Sequence, residues 1–209
     1  MDGILNFEMF IVAAILLNLT PGADTIYILG RSIAQGKMAG VVSVMGISTG
    51  ILVHTFAAAV GLSALLSTSA LAFSIVKYGG AAYLVYLGLQ MILTKSSRLS
   101  VNTSLEKITP WKIYRQGVVT NVLNPKVALF FLSFLPQFVD PNYGNHILPF
   151  LYLGIAFVIT GTLWCLMLAI GAALISGKLS TGNSMGRIQK ITGGVFMGLG
   201  VKLALSDVK

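Results

Sequence analysis

Apolar residues fall along this chain in long blocks with short polar stretches between them. Hydropathy places six blocks at about residues 7–29, 39–66, 71–93, 117–139, 147–175 and 191–205. A helix needs about 20 mainly apolar residues to cross the hydrocarbon core of a bilayer. The blocks therefore predict an all-α membrane protein with six transmembrane helices. The longest hydrophilic stretch, at 94–116, divides the spans three and three. One transmembrane domain is expected over 1–209, with halves at about 1–94 and 117–209 and a basic linker at about 95–116.

Composition agrees with that pattern. Hydrophobic residues make up 56% of the chain and charged residues 10%, and the mean hydropathy is +0.86. A soluble domain needs roughly a quarter of its residues charged to cover its surface. The N-terminus carries Asp2 and Glu8, no basic residue and no small-residue cleavage site, so the first span is expected to be retained rather than removed as a signal peptide. The lone Cys165 lies in an apolar stretch and reads as a small buried hydrophobe.

The net charge of +8 is distributed by side. Arg31 and Lys37 follow span 1. Lys95, Arg98, Lys107, Lys112 and Arg115 follow span 3, and Lys178, Arg187 and Lys190 follow span 5. The loops after spans 2 and 4 hold neither Lys nor Arg, only Asp140 and His146. Basic loops stay in the cytoplasm, so both termini are expected outside. Lys77 is placed to snorkel from the outer end of span 3, and Lys202 and Lys209 are mild exceptions. No basic run is interleaved with aromatics, so nucleic acid is not an expected partner.

A half of three spans must sit inverted relative to a second half of three. Span 1 contains Asn18-Leu-Thr-Pro-Gly22 and span 4 contains Asn121-Val-Leu-Asn-Pro125. Spans 3 and 6 carry Gly79-Gly80 and Gly193-Gly194. Paired Gly/Pro breaks in corresponding spans are the sequence mark of a transporter binding site near the midplane. Thr20-Pro21 and Asn124-Pro125 both read as an N-cap followed by Pro at the first helical position. Each broken span then holds two half-helices. The new N-termini meet near the membrane centre, where their N–H groups suit an anion. The unpaired carbonyls of the preceding half-helices suit a cation or an ammonium, and Asn18 and Thr20 stand at the first break as candidate substrate-binding or proton-coupling residues. A site of both characters fits a zwitterion such as an amino acid.

Asp24, His54 and Lys126 lie inside the spans. Ionisable groups at that depth usually face the bundle interior and mark substrate or proton paths. Asp24 fits a substrate ammonium, a coupling proton or a structural pairing with Lys126. Lys126 opposes the dipole at its half-helix start and needs a counter-charge, either Asp24 or a substrate carboxylate. His54 suits a proton relay or a plain interhelical hydrogen bond. Gly46-Ile-Ser-Thr-Gly50 places two glycines on one face for close helix packing, with Ser48 and Thr49 placed to bond a neighbouring helix. The sequence holds no H-E-x-x-H, G-x-S-x-G or Walker A motif. No enzyme, cofactor or metal site is therefore expected, and active transport would draw on an ion gradient.

Asn18-Leu-Thr-Pro-Gly-Ala-Asp24 resembles the signature of the bacterial lysine exporter and homoserine/threonine resistance family. The segments at 36–50, 77–88 and 121–131 (GKMAGVVSVMGISTG, KYGGAAYLVYLG and NVLNPKVALFF) extend the resemblance over essentially the whole chain. The family's usual Pro-Gly-Pro stands here as Pro21-Gly22-Ala23, which softens the break. The resemblance implies an inner-membrane exporter of amino acids or close derivatives, driven by the proton gradient. Its motif positions are Pro21, Gly22, Asp24, Asn124, Pro125 and Lys126. A transporter of the same fold for another small solute or ion, and a membrane scaffold with merely bent helices, stay open beside it. The glycine faces permit a homodimer.

Overall fold

The computed structural model describes residues 3–68, 70–93 and 105–174, with 194, 197, 198 and 201. Most of the sixth predicted span, with its Gly193, and the basic residues of the 5–6 loop lie outside the described residues, as do Lys95, Arg98, Lys202 and Lys209 and the side chain of Lys77. The described residues form eight α-helices: α1 (Phe7–Leu19), α2 (Ala23–Gln35), α3 (Lys37–Ala57), α4 (Ser63–Thr68), α5 (Ala70–Leu93), α6 (Pro110–Val122), α7 (Pro125–Ser133) and α8 (Ile147–Leu174). A π-helical turn, Ala58–Leu62, carries α3 into α4, and a 3-10 turn, Leu135–Phe138, extends α7.

Among the described residues two stretches, Lys37–Leu66 and Ile147–Ala172, are long and apolar enough to cross a membrane unbroken. Two others qualify as bent pairs. α1 and α2 meet at 51°, and α6 meets α7 with its 3-10 extension at 48°. The breaks fall at Pro21 and Pro125, where the missing N–H and the ring clash interrupt the helical ladder.

The boundaries correct the sequence reading in three places. Thr20 does not cap the second half-helix of span 1. It closes α1 in extended conformation, with its hydroxyl donating to the Leu16 carbonyl, 2.9 Å away. The N-cap of α2 is Gly22, and Pro21 precedes the helix. The expected arrangement does hold at the second break, where the Asn124 side chain accepts from the Lys126 N–H and Pro125 opens α7. Helix α6 begins seven residues before the predicted start of span 4, because Thr109 caps it and Pro110 supplies the first turn. Lys112 and Arg115, expected in a loop, therefore stand on α6.

The core is aromatic at one end and glycine-lined through the middle. Phe130, Phe134 and Phe138 recur every four residues and contact one another with ring centroids 4.9 and 4.8 Å apart. Phe10 from α1 joins at 5.4 Å from Phe138, and Phe157 from α8 stacks on Phe130 at 4.9 Å. Helix α3 packs against α6, α8 and α2. Its Gly46 faces α6 so closely that an added Cβ would lie 3.0 Å from the Gly117 Cα and collide with the Tyr114 carbonyl. Ser48 shares a 2.7 Å hydrogen bond with Thr162 on α8, and the Thr49 hydroxyl accepts from Tyr114 on α6 at 3.0 Å. The small-residue face thus packs as the sequence predicted.

The broken spans are tied together at both ends. At one end Leu5 donates to the Phe138 carbonyl and Asp140 to the Gly3 carbonyl. At the other, buried Arg31 donates to Gln35, Gln116 and the Glu106 carbonyl, while Gln35 exchanges bonds with the Ile108 backbone. These contacts put the start of span 1 beside the end of span 4, and the reverse.

Gly46→Val is expected to lower stability by about 1–3 kcal/mol through overpacking against α6. Gly171→Ala, where an added Cβ meets nothing within 4 Å, is expected to be neutral. Thermal unfolding of both variants in detergent checks the difference.

Candidate functional site at the two helix breaks

The two breaks lie side by side and complete each other. Lys126, in the first turn of α7, reaches into the break of span 1. Its Nζ donates to the carbonyls of Leu17 at 3.1 Å and Thr20 at 2.8 Å. The Leu17 carbonyl keeps a bond from the Thr20 N–H at 3.1 Å but has no donor four residues on, where Pro21 stands, and in lipid carbonyls at a helix end must be satisfied within the protein. The cation that the sequence assigned to the freed carbonyls is a side chain of this chain. Gly22 borders the lysine, since an added Cβ would sit 3.4 Å from Nζ.

Asp24, in the first turn of α2, reaches the other way. Its Oδ2 accepts from Asn121 at 2.9 Å and from Asn124 at 3.0 Å. The carboxylate therefore takes carboxamide donors on either side of the second break, and the dipole of α2 favours its charge. Asp24 and Lys126, left as alternative partners by the sequence, each take neutral partners instead. The Oδ1 of Asp24 is buried and has no hydrogen-bond partner in the structure, and the same is true of Asn121 Oδ1. A buried carboxylate oxygen without a protein partner is a poised acceptor.

Asn121 was not singled out by the sequence reading, although it stood in the quoted motif. It is 0% exposed and occupies the seam between α3 and α6. Gly50 makes room for it, since a Cβ there would come within 2.6 Å of the Asn121 Cβ. The Asn121 carbonyl lies 3.2 Å from His54 Nε2. His54 also packs on Phe131 at 5.7 Å, so it meets the Asp24 network through one residue and not directly. Asn18 turns to α8, donating to Thr160 at 3.4 Å.

A small enclosed cavity of about 20 Å³ lies beside these groups. Asp24, Lys126, Asn18 and Thr25 line one side, and α8 supplies Phe157, Gly161, Trp164 and Cys165. A space of this size holds about one water molecule. The α8 wall was missed by the sequence reading. Its one signal is Trp164, which lies inside a span although tryptophan favours the membrane interface.

Known proteins resemble this chain along most of its length. The family model of the LysE type translocator matches residues 15–207. An uncharacterized membrane protein of Vibrio cholerae is 31% identical over 93% of this chain and 94% of its own. The membrane protein YrhP of Bacillus subtilis is 31% identical over 94% of this chain and 97% of its own. A leucine efflux protein of Salmonella choleraesuis is 28% identical over 97% and 96%. No solved structure matches the chain. With the apolar spans and the paired breaks, the family match establishes that the chain belongs to the LysE type translocators, and that it is a multi-pass membrane transporter and not an enzyme.

Proposed function

We propose that this transporter exports amino acids or close derivatives across a bacterial inner membrane, coupled to the proton gradient, and handles its substrate between the two helix breaks. The observation that carries the reading is the opposed pair of charges at adjoining breaks. Asp24 offers an unpaired buried oxygen, and Lys126 rests on backbone carbonyls. The α-ammonium and α-carboxylate of an amino acid carry the complementary charges. A substrate ammonium suits Asp24 Oδ1 and the carbonyls that Lys126 now holds, while a substrate carboxylate draws Lys126 off them. A proton on Asp24 cancels the carboxylate charge and favours release. Competition between substrate and proton for one carboxylate is a simple route to coupling. Thr20, Pro21, Gly22 and Pro125 shape the breaks. Asn18, Asn124 and His54 surround them, with His54 bonded to the backbone carbonyl of Asn121. The efflux relatives support the direction of transport.

The reading takes the whole chain as one domain of six spans in an inverted three-plus-three arrangement. Bends of similar size in spans 1 and 4, and the meeting of opposite span ends, support it. Basic loops then face the cytoplasm and both termini face outside.

Asp24→Asn is expected to abolish export while leaving membrane insertion and expression unchanged. Efflux of labelled amino acids from preloaded vesicles, with and without an imposed proton gradient, measures it. Wild-type flux in the variant would remove Asp24 from the mechanism, and gradient-independent flux in the parent would remove the coupling. A cysteine placed at Asn142 is expected to react with an impermeant thiol reagent on intact cells. Protection there, with labelling only after permeabilisation, would invert the topology.

A further inference from the structure

Building on the proposed midplane site, we infer that the substrates are amino acids with uncharged, apolar side chains, and that α8 sets the size limit through Gly161. Charge accounting gives the first half. Asp24 and Lys126 are the charged residues that line the enclosed cavity, one of each sign. An amino-acid backbone uses both. Apart from Asn18 and Thr25 the rest of the lining is uncharged and mainly apolar, with Ile47, Ile51, Val127, Phe157 and Trp164 the largest members. A lysine, arginine or glutamate side chain would bring a third charge into this interior with no counter-charge to meet it. An aliphatic side chain finds a matching wall.

Gly161 gives the second half. Several glycines of this bundle are fixed by packing: a Cβ on Gly40, Gly46 or Gly154 would collide with a neighbouring helix. Gly161 is different. A Cβ there would stand 3.4 Å from Asn18 Oδ1 and 3.5 Å from Ile51 Cδ1, which is ordinary contact. Helix packing tolerates alanine at this position, and alanine is the better helix former. Gly161 nevertheless borders the cavity, so its missing side chain leaves space next to Asn18 and Ile51. The cavity of about 20 Å³ is far smaller than an amino acid, so the wall must give way when substrate enters. A methyl group on α8 would then compete with the substrate side chain for the same room.

The test uses the full-length purified protein in liposomes. Self-exchange is measured for labelled leucine, valine, alanine, lysine and glutamate, in the parent and in Gly161→Ala. Leucine and valine are expected to exchange faster than lysine and glutamate by about tenfold or more, the scale on which a pocket discriminates among side chains. Gly161→Ala is expected to keep the parent's thermal unfolding and to shift the leucine-to-alanine ratio toward alanine by about tenfold. Lysine or glutamate exchanging as fast as leucine would overturn the charge argument and leave amino-acid export standing. An unchanged ratio in a folded Gly161→Ala protein would overturn the role of α8. No self-exchange by any of the five would overturn this inference and leave only derivatives or other amino acids to the export reading.

Discussion

The middle of this structure depends on a reciprocal exchange between two broken helices. Breaking a helix inside a bilayer leaves carbonyls and N–H groups that no lipid can satisfy. Here the carbonyls released at the first break receive an ammonium from the second, through Lys126. The second break, in turn, presents its carboxamides to a carboxylate from the first, through Asp24. Hydrogen bonds with one charged partner are worth about 1.5–3 kcal/mol each, roughly twice a neutral bond. The two charges hydrogen-bond to other groups and not to each other.

The surrounding packing serves that exchange. Asn121 can reach Asp24 because Gly50 leaves room for its side chain in the α3–α6 seam. The seam is narrow because Gly46 and Gly117 let the two backbones approach. Van der Waals contact, and not a hydrophobic drive, holds helices together in lipid, which is why small residues gather at this crossing. On the other side, the phenylalanine cluster anchors α7 against α1 and α8 and so fixes where Lys126 begins its reach.

Much of this was legible in the sequence, and the misses have physical causes. Four of the six spans read from hydropathy qualify among the described residues, two unbroken and two bent. Both breaks followed from Pro21 and Pro125, since a proline inside an apolar block has few other meanings. The half-helix start at Asn124 was also readable, because an Asn-Pro pair is a strong cap. Thr20 misled: a threonine before proline looks like a cap, yet in an apolar helix its hydroxyl turns back to the carbonyl four residues earlier. The start of α6 was hidden because Lys112 and Arg115 make its first turns look like loop. The partners of Asp24 and Lys126 were not readable, since they come from residues about a hundred positions away. The α8 wall left little trace because a glycine in a membrane helix is unremarkable until its neighbours are known.

The bonds at the two ends of the broken spans have a mechanical meaning. Residues 3–5 grip the end of span 4, and Arg31 with Gln35 grips its beginning. Spans 1 and 4 thus form a closed frame, riveted at top and bottom and jointed once along each side. As long as the rivets hold, such a frame cannot open like a pair of scissors. Its sides can only buckle at their joints, and the joints are where the two opposite charges stand.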